Sequence, residues 1–144
     1  MEKRLKLNQV EPEGQKAMLA LEKYLASTKL KAGHKDLIKI RASQLNGCAY
    51  CINLHTKDAR KAGETEQRLY LLNAWKEISL YTEEEKAILA LTEEITFISH
   101  HVSDETYQTA AKLFDEQYLA QLMMAIIIIN AWNRIGITTQ MQPE

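Results

Sequence analysis

The chain has 144 residues and a mass of 16.5 kDa, which fits one domain and allows roughly 68 to 70% of the unfolded surface to be buried without a covalent staple. Hydrophobic residues make up 46% of it and charged residues 26%, the balance of an ordinary globular protein. The net charge of -1 and the pI near 6.4 leave no polycationic footprint, so no nucleic-acid partner is expected.

Met1 to Lys6 is charged and is not followed by the apolar stretch of a signal peptide, so a cytoplasmic setting is expected. Five glycines, two prolines and the lack of alternating apolar and polar residues argue against a sheet; the chain reads as all-α. Pro12 stands where a first helical turn accepts proline, and Met18, Leu19, Leu21, Tyr24 and Leu25 give helical spacing over Glu13 to Ala26. A second helix is expected over Asp36 to Leu45, ended by Asn46-Gly47. The third begins at or near Cys48 and stops at Gly63, with Lys57, Arg60 and Lys61 at its negative end.

Thr65 caps a short helix through about Ala74, and Thr82 with Glu85 forms a capping box for a longer one through about Ser99. Ser103 starts another. Asp115 caps the last, which runs through Ile126 to Ile129 to about Arg134, with Gly136 as its breaker. Its apolar run falls short of the roughly 20 residues that span a bilayer, so it reads as a buried core or interface helix rather than a membrane partner. Four successive isoleucines cover every side of a helix, which fits burial all round and a homo-oligomer. Neither repeats nor a linker divide residues 1–144, and one domain is expected.

Both cysteines lie in Cys48-Ala49-Tyr50-Cys51, and His55 follows one turn later. On a helix, Cys48, Cys51 and His55 share a face. The positive end of a helix favours thiolate over thiol, and His55 can take or lend a proton. Asp36, twelve residues before Cys48, can approach His55 if the two helices form a hairpin, giving a thiol, a base and a carboxylate that orients it. In a reducing compartment such a pair points to redox, catalytic or metal chemistry. Two inert core cysteines, or a zinc site that recruits His34, are the competing readings; Ile52 after the second cysteine removes covalent haem attachment. His100 and His101 sit at a helix end, where imidazolium is favourable, and Tyr50 either shapes access to the thiols or fills space.

Asp36-Leu37-Ile38-Lys39-Ile40-Arg41-Ala42-Ser43-Gln44-Leu45-Asn46-Gly47-Cys48-Ala49-Tyr50-Cys51, with His55-Thr56-Lys57-Asp58-Ala59-Arg60-Lys61-Ala62-Gly63-Glu64 after it, resembles the alkylhydroperoxidase AhpD core of the carboxymuconolactone decarboxylase superfamily. Asn130-Ala131-Trp132-Asn133-Arg134 resembles the end of its small single-domain members, so the likeness spans about residues 30–135. The resemblance implies a helical homotrimer or homohexamer that reduces a small hydroperoxide through a disulfide cycle, with an external dithiol or thiol as reductant and no bound cofactor. Carried over, Cys51 attacks the peroxide, Cys48 resolves the sulfenic acid to a disulfide, and His55 relays the proton. Asp36 stands where the family has glutamate, one methylene shorter. A non-catalytic redox sensor or disulfide-binding module is the alternative; decarboxylation ranks last, since members with that activity lack the thiol pair.

Overall fold

Residues 2–144 are described by a computed structural model, and among them every regular element is helical. The helices are α1 (Leu7–Val10), α2 (Pro12–Ala26), α3 (Ala32–Asn46), α4 (Ala49–Lys61), α5 (Glu66–Tyr70), α6 (Glu83–Thr96), α7 (Asp104–Leu113) and α8 (Glu116–Thr138). Short 3-10 segments occupy Leu72–Glu77 and Ile98–His100. The expected caps are in place. The side chains of Thr65, Ser103 and Asp115 accept from backbone amides at the starts of α5, α7 and α8, and Thr82 with Glu85 closes a full capping box at α6.

Two apolar clusters meet at α3 and α6. Ile38 and Ala42 of α3 pack with Leu25, Ile88, Leu91, Leu122, Ile126 and Ile129, while Leu37 and Ile40 face Ala59, Leu69, Leu72, Trp75 and Leu89. A helix that buries two sides is fixed in rotation as well as position, which suits an element that must deliver its C-terminal end to a functional group. Arg41 reinforces it with an ion pair at 2.9 Å to Glu93 of α6.

Several boundaries differ from the sequence reading. α3 begins a turn earlier than expected, at Ala32 after Lys31, so Asp36 lies inside the helix and is not its cap. The helix expected from Thr65 to about Ala74 breaks after Tyr70 into a 3-10 segment. Leu69, Leu72 and Trp75 all enter the second cluster, and a three-residue spacing stays on one face only when the turn tightens to three residues. α6 stops at Thr96, short of Ser99.

The last helix runs through Gly136 to Thr138 instead of breaking there, giving 23 residues that are long and apolar enough, by length and composition, to cross a membrane. In this fold it is the central helix on which α2, α3, α4, α6 and α7 pack. Its isoleucines are not buried all round. Ile126, Ile128 and Ile129 are interior, whereas Ile127 is 44% exposed.

Candidate functional site: a disulfide at the start of α4

The turn before the cysteines is built by Asn46-Gly47. Gly47 takes the left-handed conformation (φ 71°, ψ 34°), its amide donates to Gln44 and the next amide, that of Cys48, donates to the Ser43 carbonyl at 3.0 Å. These are the paired bonds of a Schellman motif, and a side chain with a Cβ resists this φ. Nothing lies within 4 Å of where a Cβ would stand, so conformation rather than space calls for glycine here.

Cys48 is then the extended N-cap of α4, and its Sγ accepts from the amide of Cys51 at 3.3 Å. The Cα atoms of Cys48 and Cys51 are 5.3 Å apart and their sulfurs are joined as a disulfide. Both sulfurs sit where the unpaired amides of a helix start favour negative charge. They are also well shielded, Cys48 being 1% exposed and Cys51 4%.

α8 closes the site from the other side. Asn133, fully buried, donates to Ser43 Oγ at 3.0 Å and accepts from Asn46 Nδ2 at 2.9 Å; Asn46 also donates to Asn130 at 2.9 Å. Asn130 passes the chain on to Thr96 of α6 at 3.0 Å. Every amide in this network is used, as burial requires. One turn beyond Asn133, the backbone of Gly136 lies against the sulfurs. A Cβ there would stand 3.1 Å from Cys48 Sγ and 3.5 Å from Cys51 Sγ.

His55 follows Cys51 by one turn on α4 and is half-buried. Burial, with Lys39 nearby, lowers its pKa from 6.5 to about 4, while Asp58 one turn further along opposes the shift. The imidazole is therefore neutral at neutral pH, with one ring nitrogen unprotonated, and burial makes it a weaker base than a free histidine. Asp36 on α3 is half-buried too, and burial raises its pKa, with Lys39 pulling the other way. Lys39 and Asp58 act on both groups, and among the described residues no hydrogen bond joins the Asp36 carboxylate to the His55 imidazole. Lys39 and Asp58 were missed from sequence, although their spacing of three from Asp36 and His55 was available as a signal.

Among the described residues no group of three or more His, Cys, Asp or Glu is placed to hold a metal. His34, the candidate fourth zinc ligand, instead shares a 2.7 Å hydrogen bond between its Nδ1 and the Tyr118 hydroxyl. Tyr50, between the cysteines, lines a groove of ≈ 800 Å³ with Trp132, Ile135 and Thr139, roofed by N-terminal residues such as Arg4 and by the tail after α8. A second groove of ≈ 830 Å³ runs along the neighbouring side of α4, past Ile52, Thr56 and Arg60.

Residues 12–94 match the carboxymuconolactone decarboxylase family. The uncharacterized protein YdfG of Bacillus subtilis (strain 168) is 49% identical over 138 residues, covering 95% of this chain and 94% of its own. A crystal structure of a protein of unknown function from Agrobacterium tumefaciens, provisionally named antioxidant defence protein AhpD, superposes with a TM-score of 0.96 at 35% identity over 99% of both chains. An uncharacterized peroxidase-related protein from Silicibacter sp. TM1040 shares the fold alone, with a TM-score of 0.82 at 18% identity over 93% of this chain and 72% of that one. With the helical hairpin, its Schellman turn and the capped cysteine pair in place, the chain belongs to the carboxymuconolactone decarboxylase family, as an AhpD-like member.

Proposed function

We propose that the protein is a thiol-dependent hydroperoxide reductase acting in antioxidant defence, and that it cycles between the Cys48–Cys51 disulfide and the dithiol. The observation that carries this reading is the disulfide itself, set at the positive end of α4 with a neutral His55 one turn beyond Cys51. In the proposed cycle His55 takes the Cys51 proton. The thiolate attacks the terminal peroxide oxygen, the O–O bond breaks, and His55 returns the proton to the departing alkoxide, leaving an alcohol and a Cys51 sulfenic acid. Cys48 displaces water from that sulfenic acid and forms the disulfide.

Reduction consumes an external dithiol. Its thiolate attacks Cys51 and expels Cys48 as thiolate; a second thiol then releases Cys51 and leaves the reductant as a disulfide. The Cys51 amide, which already bonds to Cys48 Sγ, stabilises that leaving group. No bound cofactor enters the cycle. Asp36 is assigned to the relay by the family resemblance and by Lys39 and Asp58, whose charges act on it and on His55 alike.

A homotrimer or homohexamer fits the surface. Met123 and Ile127, each 44% exposed, lie with Ile95, Ile98 and Tyr107 along an apolar groove of ≈ 770 Å³ beside α8.

The test is peroxide consumption with a dithiol reductant. Cys51→Ser abolishes turnover, and Cys48→Ser performs one turnover and stalls as a trappable sulfenic acid or mixed disulfide. Equal consumption by wild type and Cys51→Ser refutes the proposal. The near-complete burial of both sulfurs favours one second reading, a redox sensor that oxidises once; steady-state kinetics separate the two, because a sensor does not turn over.

A further inference from the structure

We infer that Gly136 is a positioning residue for the redox pair, whose missing side chain gives the Cys48–Cys51 disulfide the room to form against α8. Gly136 is buried in the interior of α8, where glycine is disfavoured and alanine preferred. Its backbone is ordinary helix, without the positive φ that requires glycine at Gly47 and Gly63. Space is what requires glycine at this position. A Cβ would approach Cys48 Sγ to 3.1 Å, closer than nine in ten real Cβ contacts, and Cys51 Sγ to 3.5 Å.

α8 cannot back away to relieve that contact. Asn133, three residues earlier, is hydrogen-bonded to Ser43 and Asn46 of α3, and Asn130, six residues earlier, to Asn46 and Thr96. The same network fixes the end of α3 that delivers Cys48. The distance between the Gly136 backbone and the sulfurs is therefore set from both sides, and interiors held this way do not absorb an extra methyl without displacement.

Reduction adds two electrons and two protons, breaks the S–S bond and leaves two sulfur atoms that must stand at non-bonded separation. The 3.1 Å approach is to sulfurs bonded to each other, whereas a freed thiol can turn away about its own side-chain torsion. A methyl group there presses on the disulfide more than on the dithiol and so disfavours the disulfide. The inference rests on the cycle proposed above only in requiring that the pair opens and closes; it does not depend on peroxide being the oxidant.

The test is the position of the thiol–disulfide equilibrium of the whole chain against dithiothreitol, read by thiol alkylation and mass spectrometry without peroxide. Gly136→Ala is expected to shift this equilibrium about threefold or more towards the dithiol. A second measurement makes the same change in a Cys48→Ala background, where the sulfur nearest the new methyl is gone. There Gly136→Ala is expected to raise Tm, as alanine does in a helix interior, while it lowers Tm in the presence of Cys48. An unchanged equilibrium, a shift towards the disulfide, or a raised Tm in both backgrounds overturns the inference. If the single variant does not fold, recovery of folding in Cys48→Ala/Gly136→Ala supports it and failure of both overturns it.

Discussion

Asn46, the last residue of α3, donates its side-chain amide to Asn133 of α8 at 2.9 Å, two residues before the sulfur that caps α4. The bond couples the core helix to the redox pair through the backbone rather than by touching it. Asn133→Ala takes one of two hydrogen-bond partners from the fully buried Ser43 and one of two from Asn46, and the expected loss is about 2 to 3 kcal/mol of unfolding free energy. Urea denaturation of the oxidised protein measures it. A loss below about 0.5 kcal/mol shows the latch to be dispensable.

The buried His55 makes stability depend on pH. Its folded pKa of about 4 lies below the unfolded 6.5, so as pH falls the unfolded chain binds a proton first. The stability is full above pH 6.5, declines as pH drops towards 4, and levels off below; the decline is at most about 3 kcal/mol. His34, also lowered by burial, adds to this slope, while Asp36, raised by burial, acts in the opposite sense at its own titration. His55→Gln flattens the profile between pH 4 and 6.5, measured with the disulfide intact. A slope identical to wild type rules out His55 as its source.

Asp36 lies one turn before Lys39 on α3, and Lys39 acts electrostatically on His55 as well. If the carboxylate serves the relay, Asp36→Ala lowers kcat/KM for peroxide about 3- to 10-fold, and Asp36→Glu, which restores the family's longer side chain, keeps or raises it. Parallel pH profiles show whether the acid limb moves. Wild-type kinetics in Asp36→Ala assign the residue to structure alone.

Arg68 holds the segment between α4 and α6. Its guanidinium bonds to Glu64, Glu85 and the Leu80 carbonyl and lies 4.6 Å over the Tyr81 ring. Arg68 holds the Glu85 carboxyl below its ordinary pKa. Arg68→Met leaves two shielded carboxylates unpaired and is expected to cost about 2 to 4 kcal/mol. None of these groups touches Cys48 or Cys51, so the thiol–disulfide equilibrium should stay unchanged; a shift in it contradicts this separation of roles.

Caps and breakers were legible because they are local. Thr82 with Glu85, Asp115, Gly47 and Gly63 each announce their position through residues a few places away, and the structure has them there. The start of the third helix at Cys48 was legible in the same way, from the Asn46-Gly47 break just before it. Gly136 could not be read, since its reason is a sulfur atom nearly ninety residues distant in the chain, and local rules turn a late glycine into a helix end. The 3-10 segment after Tyr70 was hidden for a like reason: it exists to seat Leu72 and Trp75 on α3 and α6. The neighbourhood of Asp36 and His55 depended on how two helices pack, which spacing permits but does not choose.

The disulfide joins residues three apart in sequence. A ring so small removes little freedom from the unfolded chain, about 2 kcal/mol in a chain-entropy account against about 4.7 kcal/mol for a hundred-residue loop. The helices around it rest instead on their two apolar clusters and the asparagine network. Those contacts do not pass through the sulfurs. Breaking this one bond leaves them in place, and the scaffold that aims the sulfurs stands on its own packing.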